Sequence, residues 1–129
     1  MQFKSDKDKL RFFYLHPLLI LIASDMNAYC DRYGIPFVIT ATVSTLEEDK
    51  ALGRKSRTHR EARAFDLRST VFTEIEREEF MKHFEHKYQT AAAITSNGKR
   101  SLIVHHNSGH GDHFHIQIHS KFAQKNPLE

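Results

Sequence analysis

Cysteine is nearly absent, with Cys30 the only one in 129 residues. An intramolecular disulfide is therefore excluded, as is a thiolate metal cluster of the zinc-finger type. Any metal bound by this chain must be held by histidine and carboxylate. Cys30 itself reads as a small, buried apolar residue on a helix. Tryptophan is missing, and only five glycines and three prolines occur, with no low-complexity tract to suggest a linker or a disordered arm. No apolar run reaches the about 20 residues that a membrane-spanning helix requires. The longest candidate, residues 15–23 (LHPLLILIA), is interrupted by His16-Pro17 and reads as the opening of a core helix rather than as an export signal. A protein made in the cytosol is the expectation.

What is present describes one globular domain over residues 1–129, its core at roughly 15–120, because a chain of this length supports one hydrophobic core and not two. A formal charge of +3 and a pI near 9.1 suit an anionic partner, whether a bacterial wall, a nucleic acid or an acidic membrane surface. The excess is too mild to choose among them.

Pro17 fits the first turn of a helix of about 16 residues, with Leu18, Ile22, Met26 and Tyr29 at helical spacing until Gly34 and Pro36 end the pattern. Residues 37–43 are rich in β-branched side chains and read as a strand. Residues 44–62 are polar, without a sustained period, and read as a long functional loop. Arg63 to Ser69 alternates, with Phe65 and Leu67 on one side and Ala64, Asp66 and Arg68 on the other. Thr73 and Glu76 form a capping box for a helix running to about Tyr88, with Ile75, Phe80 and Phe84 as expected core contacts. Asn97-Gly98 marks a tight turn into a strand at residues 101–104. The last strand, His113 to His119, puts Phe114, Ile116 and Ile118 toward the core and His113, His115, Gln117 and His119 on the other face. Helices and strands without regular βαβ alternation predict an α+β fold with a small, mainly antiparallel sheet.

Histidine is the residue in excess: there are ten, six of them between His105 and His119. Hydrolytic zinc takes three His or carboxylate ligands and keeps a fourth position for water. His59, Asp66 seven residues on, and His115 supply such a set if the last strand neighbours the Asp66 strand. A carboxylate between Phe65 and Leu67 needs a partner to be buried, and a metal is a suitable one.

The segment from Ser56 to Asp66, followed by Asp112-His113-Phe114-His115, resembles the paired signature of the zinc peptidases grouped with D-alanyl-D-alanine carboxypeptidases, phage L-alanyl-D-glutamate endolysins and the hedgehog fold. The resemblance implies zinc on His59, Asp66 and His115, with Asp112, three positions before the last ligand, as general base. It further implies a hedgehog-like fold and hydrolysis of a peptide bond in the peptidoglycan stem peptide, by an L,D-endopeptidase or a D,D-carboxypeptidase. His113 is then placed to stabilise the oxyanion. The expected protein is a monomer of the phage-endolysin kind, acting on the cell wall or in the periplasm, with no nucleic-acid partner. Two departures stand out. The family has Gly three residues after the first His, where this chain has Ala62, and its substrate-binding Arg after the first strand is missing, leaving Arg54, Arg57, Arg63 or Arg68 to replace it.

Among the remaining histidines, His105, His106 and His110 read as loop or pocket-rim residues able to form a second metal site, and His119 as solvent-facing. Lys50, Arg54, Lys55, Arg57 and Arg60 read as a solvated loop face. Two rival functions follow from the same residues. A nuclease of the His-hydrophobic-His type would use His113 and His115 but needs a Tyr that does not follow them, and it leaves the His59–Asp66 spacing unexplained. A non-catalytic zinc module has no need of Asp112.

Overall fold

The helix opened by Pro17 runs over Pro17–Arg32, and its N-terminus is capped by His16, whose Nδ1 accepts the Leu18 N–H at 3.0 Å. Its buried stripe is Leu19, Ile22, Ala23, Met26 and Cys30. The computed structural model describes every residue except Ser108 and His110. In chain order the strands are β1 (Gln2–Phe3), β2 (Val38–Ala41), β3 (Ala64–Arg68), β4 (Ala93–Ile94), β5 (Arg100–Ser101), β6 (Ile103–His106) and β7 (His113–Gln117). The α-helices are α1 (Asp6–Arg11), α2 (Pro17–Arg32), α3 (Leu46–Ala51) and α4 (Glu74–Lys87).

Five strands form one sheet in the order β1-β2-β3-β7-β6, antiparallel except for the parallel β1–β2 pair. The α+β class with a mainly antiparallel sheet is thus what the chain adopts. β4 and β5 make a separate hairpin, whose turn uses Gly98 at φ 79°.

One face of the sheet is the core. Phe65 and Leu67 of β3 and Phe114 and Ile116 of β7 are fully buried there, with residues of α2 and α4 in the same cluster. Phe114 stacks on Phe80 with ring centroids 5.5 Å apart, and Phe80 lies 5.0 Å from Phe84. Each such side chain contributes about 1.5–3 kcal/mol of burial. The same contacts fix β7, the strand that carries His115 on its other face.

Ile75 departs from its expected place and is 73% exposed. It precedes Phe80 by five residues, which puts it about 140° round the helix from the buried stripe. The capping box is formed, Thr73 accepting from the Glu76 N–H and Glu76 from the Thr73 N–H. Residues 44–62 are not wholly loop. Helix α3 lies inside them behind its own capping box of Thr45 and Glu48, and six residues are too few to show a period. The folded body also extends past residues 15–120, since β1 pairs with β2 and Asn126 Nδ2 donates to the Ser44 carbonyl. No helix among the described residues is long and apolar enough to cross a membrane.

Candidate metal centre

On the sheet face away from the core, Asp66 of β3 stands directly opposite His115 of β7 in the antiparallel register. Cross-strand partners on one face have Cβ atoms only about 4.5–5.5 Å apart, so register alone brings these two groups together. His59 reaches the same point from a turn before β3. Its Nε2 lies 3.1 Å from Asp66 Oδ1, and His115 Nδ1 lies 3.0 Å from the same oxygen. One ligand atom from each of the three residues falls within 4.8 Å of the other two, so the group could hold a metal ion. Two ligands of a tetrahedral zinc, each about 2.0–2.1 Å from the metal, stand roughly 3.3 Å apart, which these separations match.

For neutral rings the hydrogen-bond pattern fixes which nitrogen carries the proton. His59 Nδ1 lies 2.7 Å from the Thr42 carbonyl, which can only accept, so Nδ1 holds the proton and Nε2 presents a bare lone pair to Asp66. Gln117 Nε2 donates to the Ser101 carbonyl, which turns Gln117 Oε1 toward His115 Nε2 at 3.2 Å. That nitrogen donates in turn, and His115 Nδ1 is left bare. With both rings neutral, two imidazole lone pairs and a carboxylate oxygen converge on one point, and either a proton or a metal cation makes the arrangement favourable. Imidazole ligands oriented by a hydrogen bond to a carbonyl are characteristic of metal sites.

Burial leaves His59 and Asp66 nearly inaccessible and His115 with 13% of its side chain exposed. Burial pushes the Asp66 carboxyl up, but His59 and His115, whose charge and N–H groups reach it when the rings are protonated, outweigh burial and hold the group well below the usual carboxylate range. Burial lowers His115 below the ordinary imidazole value against the pull of Asp66. Both shifts favour the protonation states that ligate a metal.

Support comes from residues that the sequence did not single out. Asp8 of α1 is buried and accepts from both the backbone N–H and the hydroxyl of Thr42, at 2.9 and 2.8 Å. Thr42 in turn orients His59. Thr58 Oγ1 lies 3.3 Å from His115 Nε2. Asp49 of α3 gathers Ser44 (2.6 Å), Arg54 (2.9 Å) and Arg60 (3.6 Å), tying down the segment that leads to His59. Arg54 and Arg60 are thus anchored and not simply solvated.

Ala62, three residues after His59, has φ 58° and is fully buried. The left-handed conformation costs an alanine roughly 1–2 kcal/mol. Glycine would relieve this but loses about 0.8 kcal/mol of methyl burial and 0.4–1 kcal/mol through a freer unfolded chain. Ala62→Gly is therefore expected to change unfolding free energy by less than about 1 kcal/mol, whereas the β-branched Ala62→Val should destabilise by more than ~2 kcal/mol. Urea titrations distinguish the two. Gln117→Leu removes one of the two oxygens at His115 Nε2 and leaves only Thr58 Oγ1 to hold the tautomer, and zinc affinity measured by competition with a chelating dye is expected to fall about 10–100-fold.

The other expected site residues divide. Asp112 is outside the ligand cluster. Its Oδ1 accepts the Gly109 N–H at 2.8 Å, and it lines a smaller cavity of about 320 Å³ together with Asp66 and His113. His113 Nδ1 donates to the Gly111 carbonyl at 2.9 Å while its Nε2 faces Asp66 Oδ2 at 3.6 Å. A neutral His113 therefore has no proton on the nitrogen facing the site and donates there only as imidazolium. His105 lines the open cleft as expected, but from strand β6 and not from a loop: it pairs with Phe114 of β7, and its Nε2 lies 3.0 Å from the buried Ser69 hydroxyl. His106 pairs with His113 across β6 and β7 on the site face. His110 lies outside the described residues. His119 is half-buried, and its Nδ1 accepts the Lys121 N–H. Tyr88 donates to Asp25 of α2 at 2.6 Å, among the core-side helices, which removes it as a nucleophile beside His113 and His115.

His59, Asp66 and His115 lie in an open cleft of about 1240 Å³, lined also by Arg54, Arg63, His106 and the β4 edge at Ala93 and Ile94. Arg54 and Arg68 line the smaller cavity, and Arg57 is exposed beside Glu61. No family model matches the chain, and neither a curated protein nor a solved structure matches it.

Proposed function

We propose that the protein is a zinc peptidase that hydrolyses a peptide bond in the stem peptides of bacterial peptidoglycan, of the kind grouped with D-alanyl-D-alanine carboxypeptidases and phage L-alanyl-D-glutamate endolysins. The observation that carries the proposal is the convergence of His59 Nε2, Asp66 Oδ1 and His115 Nδ1, three atoms able to ligate a metal once the rings are neutral, in an open cleft. The imidazole-rich donor set suits zinc. Ala62 adds support, for it keeps a positive φ where the resembling family has Gly.

When bound, zinc supplies a water acidified to a pKa of about 7 and polarises the scissile carbonyl. Asp112 takes the proton of the attacking water and returns it to the leaving amine. The Asp112 carboxylate shares a cavity with Asp66 and is aimed by the Gly109 N–H, so it acts from beside the ligand cluster. Positive charge at His113 opposes the charge that develops on the carbonyl oxygen. Arg54 lines both cavities and is held by Asp49, which fits it to grip a substrate carboxylate in place of the family's missing Arg.

Mass spectrometry of purified peptidoglycan after incubation with the zinc-loaded protein tests this reading. New peptide ends that disappear on chelation support it and name the bond. Intact stem peptides in the presence of bound zinc would leave the non-catalytic module in its place.

A further inference from the structure

Two large apolar side chains stand exposed on the cleft that holds the candidate metal centre. Leu52, which caps the C-terminus of α3, is 71% exposed, and Ile94 of β4 is 53% exposed. The topology puts them on opposite sides of the metal group, whose Asp66 and His115 belong to the neighbouring strands β3 and β7. Leu52 also lines the smaller cavity with Thr40 and Ala41 of β2, which places it on the β2 side. The β4–β5 hairpin runs directly into β6 and is tied to the end of β7 by the Ala92–Ile118 bridge, which places Ile94 on the β6 side. A single exposed leucine or isoleucine needs no explanation. Two on one cleft, flanking a group able to hold a metal, are apolar surface that only a bound ligand would cover.

We propose that Leu52 and Ile94 are specificity-determining residues that receive aliphatic side chains of an acidic peptide, one on either side of the bond being cleaved. The proposal rests on the peptidase reading above and adds which side chains that site selects. Charge decides the rest of the occupant's chemistry. Asp66 is the only acid among the described residues that line the cleft, whereas Arg54, Lys55 and Arg63 line it too, so the wall suits an anionic ligand. Arg54 and Lys55 follow Leu52 in the chain, while the cleft residues around Ile94, namely Ala93, Thr95 and Ser96, carry no charge. The alanyl methyl groups of a stem peptide supply the apolar partners, and its carboxylates supply the anionic ones.

The test compares zinc-loaded wild-type protein with Leu52→Ser and Ile94→Ser, using a synthetic stem pentapeptide and measuring both its binding, by isothermal titration, and its hydrolysis. Leu10→Ser is the control, since Leu10 is 74% exposed on α1 and does not line the cleft. Both cleft residues are exposed and outside the ligand cluster, so neither change threatens folding or zinc content. Each is expected to weaken pentapeptide binding and raise KM roughly 5–20-fold, the discrimination that about one to two methylenes provide. The value of kcat should stay within about twofold, because contacts of this kind are made equally in the ground and transition states. Wild-type binding and KM in both variants, with hydrolysis intact, would overturn the proposal and leave the peptidase reading standing. Binding that weakens in both variants without hydrolysis by any of the proteins would support the two apolar subsites and overturn the peptidase reading. A pentapeptide that the wild type neither binds nor cleaves would overturn both.

Discussion

Asp66→Ala is expected to bind zinc roughly a thousandfold more weakly than the wild-type protein. Zinc held by a few protein ligands is bound by about 10–16 kcal/mol, so one ligand of three accounts for ~3–5 kcal/mol, two to nearly four decades of affinity. Asp66 faces both His59 and His115 through a single oxygen, so its loss also removes the charge that the cation neutralises. Asp66→Asn keeps an oxygen ligand without the charge and should fall between the two. Isothermal titration against a competing chelator reads the difference, with circular dichroism showing that the fold is retained. Were Asp66 only an ion-pair partner for protonated histidines, zinc affinity would not follow its substitution.

Asp112→Asn is expected to leave zinc affinity within about threefold and to lower the rate of stem-peptide hydrolysis by roughly 10²–10⁴, the usual contribution of a positioned general base. Asparagine keeps the oxygen that accepts the Gly109 N–H, so the turn before β7 is preserved and the lost group is the proton acceptor alone. Initial rates on a synthetic stem peptide, beside zinc content, separate this outcome from loss of metal. A variant that hydrolyses at the wild-type rate would assign proton transfer to another residue.

The group formed by His59, Asp66 and His115, which could hold a metal ion, was legible because each lies in a pattern that a short stretch of sequence carries. Phe65-Asp66-Leu67 and Phe114-His115-Ile116 alternate with period two, so burial of the flanking residues places both ligands on one face. Their pairing in register is a tertiary fact, and the sequence offered it only as a condition. What supports the ligands was less visible. Thr42 acts through its backbone carbonyl, which has no residue signature, and Asp8 lies in a six-residue helix too short for periodicity. Helix α3 escaped for the same reason, although Thr45 and Glu48 were readable as its capping box. Gln117 was placed on the correct face, but its role depends on Ser101 holding its amide in one orientation. Ile75 shows the opposite error, an apolar residue near a helix start that belongs to the wrong side of the helix.

The most direct measurement is anomalous X-ray scattering at the zinc absorption edge from crystals of the zinc-loaded protein. A peak bonded to His59 Nε2, Asp66 Oδ1 and His115 Nδ1, with its remaining position open to solvent, is the predicted result. No peak among these three atoms, or a peak there closed by a fourth protein ligand, would contradict a hydrolytic metal centre.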